Sequence, residues 1–346
     1  MDTGPNLKDI ANAVGVSSAT VSLYLNDPST HRVGKKTKEH IDEAMQDLGY
    51  RPNLFARSLA SGSSHIIGII KPTLRPIFSN CFNNVIIAGI QDALSVDHYS
   101  LLFFPSSGST SSEVVKFQIY QGYGCDGYIL FGSRFCSQQD IEKNIKTLQH
   151  TGKPFVTVNI PEMPGDIAQI IVPELSSISG INYLFERGHR QVLLLLGRKE
   201  GIFTKKILSA YVLLLKKYDI PYRKENVLYG DYSKTEAYQA VKTRIDHGPQ
   251  NFTALCSMSD YMAVGAYEAL RETGLSIPED ISVVGRNNSD FSTALSPTLT
   301  TVELQMEKIG SEAAKLLHRL IKGDNHERIY LESKLIIRNS VYPLKA

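Results

Sequence analysis

Residue types that usually carry catalysis are present in this sequence, but not at spacings that would let them act. Nine histidines are scattered along 346 residues, with no His/Asp/Ser set that spacing favours. Cys81, Cys125, Cys136 and Cys256 lie far apart, without a CxxC pair or a metal-like interval, and read as reduced, mostly buried thiols. No GxxxxGKS/T loop, no GxGxxG after a strand, no HExxH and no GxSxG occurs. Catalytic residues, a metal and a cofactor are therefore not expected. One stretch does have chemically meaningful spacing, residues 7–22. Its Gly15 allows a tight turn between two short helical patterns, Ala11 is small where the helices approach, and Val21 closes the core between them. That geometry sets a second helix in a DNA major groove, its first residues at the base edges.

The elements around that stretch follow from periodicity. Leu7, Ile10, Ala11 and Val14 recur at helical intervals, and Ser17 can cap a second helix that turns Val21 and Leu25 inward. A third helix is predicted from about Lys35 to Leu48, burying Ile41, Ala44, Met45 and Leu48, and stopping at Gly49. Leu54–Ser61 forms one more short helical segment before a Gly62-Ser63-Ser64 linker. From Ile66 onward the texture becomes strand–helix alternation. Strands are predicted at 66–70, 101–104, 128–131, 155–158, 169–172, 192–196, 227–229, 255–258 and 281–284. Helices fall at 82–94, 141–150, 177–187, 235–246 and 260–273. Such alternation over 220 residues means parallel sheets covered on both faces, and two sheets with a cleft between them suit the length better than one.

Composition bounds the rest. With 42% hydrophobic and 21% charged residues the chain is ordinary globular protein of two or three domains. No run of 18 apolar residues predicts a membrane span, and Met1–Pro5 lacks the basic-then-apolar pattern of a secretory signal, so the cytoplasm is the expected compartment. Net charge is +2, and residues 1–62 carry seven basic against seven acidic side chains. Any affinity for DNA must come from where charges are placed, since their sum gives none.

LKDIANAVGVSSATVS at 7–22, LGYRPNLFARSLASG at 48–62, PEDISVVG at 278–285 and SPTLTTV at 296–302 resemble the lactose-repressor (LacI/GalR) family of regulators, over nearly the whole chain. The resemblance implies an α-helical helix-turn-helix DNA-binding domain at 1–50 and a hinge helix and linker at 51–64. An α/β periplasmic-binding-protein-like domain of two Rossmann-like lobes follows at 65–346. The N-lobe would span about 65–161 and 291–321, the C-lobe about 162–290 and 322–346. It further implies a homodimer on a palindromic operator, nucleoid-associated when bound, acting as a repressor with its effector between the lobes. Whether such a protein activates instead depends on where its operator lies. A solute-binding protein shares the second fold but would need a signal peptide and would lack residues 7–61.

Carried over by position, the family's base readers fall on Ser18, Ala19 and Leu23, with further DNA contacts from Asn6, Ser17, Thr20, Ser22, Asn26 and Thr37. Many members have Arg where Leu23 stands; Arg pairs bidentately with guanine, whereas Leu can only pack on a thymine methyl. Weak direct readout is expected, with more weight on phosphate contacts and DNA shape. Gly34 replaces a capping Ser, and Lys35, Lys36 and Lys38 are either phosphate contacts or a solvated helix start. In the hinge the resemblance implies contacts from Asn53, Ala56, Leu59 and Ala60, Leu59 being the minor-groove wedge. A helix that short is marginal alone in water, so pairing and docking would fold it.

For the effector the implied positions are Phe78, Glu174, Lys206, Asp260, Arg286 and Asn287. Several of the family's sugar-contacting residues are replaced: Val172-Pro173-Glu174 stands for a VDN-like stretch, Ile207 for a cleft Arg, Ala210 for a Gly, and Arg286-Asn287-Asn288 for an aromatic-Asp-Asp run. Arg286, Lys205 and Lys206 are expected in or near loops rimming the cleft. Three readings stay open: an anionic effector, basic residues without a ligand, and a degenerate cleft or one serving a protein corepressor.

Leu59→Ala is expected to weaken operator binding far more than binding to random DNA. Titrating both DNAs at one salt concentration checks this, and equal losses would remove the wedge assignment.

Overall fold

Short polar side chains set the first helices. The computed structural model describes residues 4–51, 62–72, 78, 81–104, 124–132, 136–248 and 251–344. Its contacts divide the chain into two units, Met1–Ser64 and His65–Ala346. In the first unit, helix α1 (Leu7–Val14) opens with a capping box. The Asn6 side chain accepts from the Lys8 N–H at 2.9 Å and the Asp9 carboxylate accepts from the Asn6 N–H at 2.8 Å. Gly15 ends the helix at φ 73°, a left-handed turn that costs glycine nothing. Helix α2 (Ser18–Asn26) is capped by Ser17, whose Oγ accepts from the Thr20 N–H at 3.1 Å. Helix α3 (Lys35–Asp47) starts at Gly34 without a side-chain cap. Ile10, Ala11, Val21 and Ile41 form the buried core, with Leu7, Val14, Leu25, Ala44 and Met45 packed around it. Leu48, expected inside, is exposed: α3 has ended by then and the chain turns at Gly49. The predicted helix at 54–61, with Asn53, Ala56, Leu59 and Ala60, lies outside the described residues.

The second unit holds two six-stranded sheets. The first orders its strands β2-β1-β3-β4-β5-β11, with β1 Ile66–Ile70, β2 Ser100–Phe103, β3 Gly127–Phe131, β4 Phe155–Val158, β5 Gln169–Ile171 and β11 Arg328–Tyr330. The second orders β7-β6-β8-β9-β10-β12, with β6 Val192–Leu196, β7 Val227–Tyr229, β8 Ala254–Ser257, β9 Ser282–Arg286, β10 Thr300–Glu303 and β12 Lys334–Ile336. Every pairing is parallel except β10–β12. The strands β1, β3, β4, β6, β8 and β9 are almost continuously buried, as sheets covered on both faces require.

Sheet membership moves the expected lobe boundaries. Strands β5 and β11, assigned above to the C-lobe, hydrogen-bond into the first sheet, with Ile329 opposite Ile170. Strand β10, assigned to the N-lobe, pairs with β9 and β12 in the second. Strands β10 to β12 are three or four residues long, and none was picked out individually from the sequence.

Helices α4 (Cys81–Ser95), α5 (Gln138–Gln149) and α11 (Met306–Ile321) belong to the first lobe. Helices α6 (Glu174–Ser177), α7 (Ser179–Glu186), α8 (Ile202–Lys217), α9 (Lys234–His247) and α10 (Asp260–Glu272) belong to the second. Helices α4 and α11 meet backbone to backbone. A Cβ on Gly89 would come within 2.1 Å of the Glu307 carbonyl oxygen, and one on Gly310 within 2.0 Å of that of Ile86. Gly265 on α10 lies equally close to α9, its Cβ position 2.2 Å from the Lys234 oxygen. The C-terminal segment is stitched down by His189. Its Nε2 must carry the proton, because it faces the Tyr342 carbonyl at 3.0 Å, while Nδ1 meets the Thr253 hydroxyl at 2.9 Å. Burial lowers the pKa of this imidazole and favours the neutral form that both bonds need.

Gly310→Ala forces a methyl into a backbone carbonyl. It is expected to destabilise the second unit by about 1–3 kcal/mol or more, read as a melting midpoint several degrees lower. An unchanged midpoint would mean the two helices can part without cost.

Candidate functional site

In the first unit, helix α2 divides into two faces. Val21 and Leu25 turn inward, whereas Ala19, Ser22, Leu23 and Asn26 share the opposite side, four residues at helical spacing with exposed or half-exposed side chains. Leu23 takes no part in the small core, so its apolar side chain is presented outward. Ser17 and Thr20 hydrogen-bond each other at 2.9 Å at the start of the helix. Asn6, expected to touch DNA, spends its side chain on the α1 cap. Thr37 is half-buried in the first turn of α3.

The lysines divide by their partners. Lys38 Nζ donates to the Pro28 carbonyl at 2.7 Å and lies over the Tyr24 ring, fastening the 27–30 turn to α3. Lys35 and Glu39 form a loose pair at 3.9 Å on the exposed surface, worth little. Lys36 is exposed. Tyr24 donates to the Asp42 carboxylate at 2.7 Å, and that carboxylate raises the phenol pKa, so α2 is held to α3 by a neutral hydroxyl.

In the second unit, the carboxyl ends of β6, β8 and β9 come together, where doubly wound sheets bind ligands. Asp260 opens α10 just past β8 and is completely buried. Its Oδ1 accepts from the Thr301 hydroxyl at 2.6 Å and its Oδ2 from the Ser289 N–H at 2.7 Å. Burial pushes its pKa up, and the Thr301 and Ser289 bonds oppose that. Expected in the ligand set, Asp260 instead locks the 285–301 segment. Gly285 is required beside it, since a Cβ there would lie 2.2 Å from Oδ1.

Arg286 is the last residue of β9 rather than a loop residue, and is half-buried. Burial disfavours its charge, with Tyr232, Cys256 and Asp260 acting the other way. Tyr232, at φ 53°, lays its ring on Gly197 past the end of β6, where a Cβ would come within 2.0 Å of it. Asn287 has φ 115° and its N–H donates to the Val302 carbonyl at 2.7 Å. Lys205 and Lys206 lie near the start of α8, and Lys206 pairs with Glu174 of α6 at 3.6 Å. Ile207 and Ala210, standing where the family has a cleft Arg and a Gly, are packed into the second lobe's core. Phe78 is exposed, with Phe103 edge-on at 5.0 Å.

The six expected ligand residues thus fall into an isolated aromatic, an ion pair and a contiguous group at the end of β9. A half-open cavity of about 390 Å³ lies alongside, between the first turn of α4, residues 287–291 and the 303–308 segment. Cys81 and Phe82 line it, as does Asn287. Sequence reasoning missed Tyr232, Gly197, Ser289 and Thr301, because only the packed sheet makes them neighbours. Among the described residues no group of three or more His, Cys, Asp or Glu is placed to hold a metal, and no helix is long and apolar enough to cross a membrane.

Known proteins resemble both units. The model of the bacterial regulatory proteins of the lacI family matches residues 6–53, and that of a periplasmic binding protein-like domain matches residues 181–341. The HTH-type transcriptional repressor CytR of Escherichia coli (strain K12) is 29% identical over 350 residues, covering 99% of this chain and 98% of its own. The lac repressor dimer bound to operator and the anti-inducer ONPF superposes with a TM-score of 0.85 at 25% identity, covering 98% of this chain and 99% of that one. The complex of the transcriptional regulator CelR with cellobiose gives 0.70 at 25% identity, covering 97% and 99%.

Thr301→Val removes a donor from a buried carboxylate. A loss of about 1.5–3 kcal/mol is expected for a charge-assisted bond, measurable as a lower melting midpoint. Wild-type stability in the variant would show that Asp260 does not depend on the hydroxyl.

Proposed function

The chain belongs to the LacI family of bacterial regulatory proteins, and from that membership we propose that it is a cytoplasmic, homodimeric transcriptional repressor. It reads palindromic operator DNA through α2 and responds to a small molecule held between the lobes of its second unit. The observation that carries the reading is the outward face of α2, residues 19, 22, 23 and 26, set on a capped helix-turn-helix. Support for the rest comes from relatives of the same length, one named a repressor and one solved as a dimer on its operator with a small molecule.

In this reading the protein binds and releases, and carries out no reaction. Ser17 and Thr20 at the helix start offer hydroxyls to the phosphate backbone, and Ser18, Ala19 and Leu23 face the bases. Two of those three side chains are apolar, so direct base discrimination is weak and backbone contact supplies most of the affinity. Asn53, Ala56, Leu59 and Ala60 add a minor-groove contact near the operator centre. Phe78, the Glu174–Lys206 pair, Arg286 and Asn287 border the ligand, with Asp260 acting behind them.

Selecting binders from a random DNA pool tests this directly. The wild-type protein should enrich a two-fold symmetric site with half-sites about one helical turn apart. Leu23→Arg should enrich a guanine in each half-site, with a preference of about 1–3 kcal/mol. A pool that stays random overturns the DNA-reading function. An unchanged site in the variant moves Leu23 out of the base-reading set.

A further inference from the structure

Arg286 has unusual surroundings for a half-buried guanidinium. It ends a central strand, and its side chain has no hydrogen bond or ion pair among the described residues; Nε is buried without a partner. Asp260 favours its charge from nearby but is not bonded to it, because both Asp260 oxygens already accept internal bonds from Thr301 and Ser289. The Cys256 thiol is pushed up to about 12 by burial, with Arg286 drawing it down, so it stays protonated at neutral pH. Lys206 is already paired with Glu174.

The next residue has the complementary feature. Asn287 Oδ1 is buried without a hydrogen-bond partner, an acceptor one residue along the chain from the unmatched donor. A guanidinium that is half-buried and left without hydrogen-bond partners carries a desolvation cost, which hydrophobic replacement at such sites often relieves. The cost is offset when the guanidinium meets an oxyanion, for which its planar fork is suited. A neutral sugar offers it no such partner, and two positions where the family carries cleft residues are core side chains here, Ile207 and Ala210.

We propose that Arg286 and Asn287 form the recognition pair of the second unit, and that its effector is a small hydroxylated oxyanion. A phosphate or carboxylate group accepts from the guanidinium, and a ligand hydroxyl donates to Asn287 Oδ1. The inference rests on the reading of this unit as the sensor, and it narrows the ligand to a charge class.

The test is thermal melting of the full chain, wild type and Arg286→Met, with ribose 5-phosphate, citrate or ribose at tens of millimolar. Without additive, Arg286→Met should melt as high as the wild type or a few degrees higher, since an unmatched charge has been removed. Ribose 5-phosphate or citrate should raise the wild-type midpoint by several degrees, and which one does so separates the phosphate from the carboxylate. Ribose should not shift it, and the variant should respond to none. A variant that melts several degrees lower would show a guanidinium held by the protein itself, overturning the proposal. So would an oxyanion shift that persists in the variant, or no shift from either oxyanion. Ribose alone shifting both proteins would overturn the charge class while leaving the sensor reading in place.

Discussion

Neither sheet of the second unit is completed by neighbouring strands in the chain. The first takes its outer strand from residues 328–330, and the second takes β10 and β12 from residues 300–303 and 334–336. The backbone therefore passes between lobes three times, after β5, after β10 and after β11. These passages are tied to one another. Ser176 and Ser333 exchange three hydrogen bonds through their hydroxyls and backbone, and the Gln305 side chain donates to the Glu332 carbonyl. Any reorientation of one lobe against the other must bend three linked segments together. That restricts it to a rigid-body rotation about their common line and disfavours gradual deformation of either sheet.

The end of β9 lies next to one of these passages. The Asn287 N–H bonds to Val302, the Asn288 side chain bonds to Glu303, and Asp260 holds Thr301, all within β10 just before the chain crosses to α11. A group bound at Arg286 and Asn287 is thus one hydrogen bond from a crossover segment. At the opposite end of that segment α11 packs on α4 through Gly310 and Gly89 with no intervening side chain, so α11 and α4 move as one body. Close backbone packing makes the lobes stiff, and stiffness makes the crossings the place where movement is absorbed.

Much of this was legible in the sequence because it is local. Gly15 and Ser17 mark helix ends by chemistry that acts over three or four residues, and the apolar runs of β1, β4 and β6 need no distant partner to be recognised. In the described part of the first unit the departures are Leu48, whose burial depends on where a helix stops, and Asn6, whose side chain caps α1. In the second unit the lobe boundaries moved because membership of a sheet is set by pairing: β11 pairs with β5, more than a hundred residues earlier, and β10 pairs with β9 and β12. Asp260 was named as a ligand residue. Its type and position suit that role, and only the packed structure shows its oxygens already occupied by Thr301 and Ser289.

The late position of those closing strands has a consequence for how the protein is made. The first unit is a separate compact unit of 64 residues whose described core lies within α1 to α3, so it can fold soon after that segment leaves the ribosome. Neither sheet of the second unit is complete until residue 330 or later has emerged. A growing chain therefore carries a folded helix-turn-helix core while its second unit still exposes the open edges of β5 and β10, the stage of synthesis most vulnerable to aggregation. A chain halted before residue 328 would leave a head without a governor.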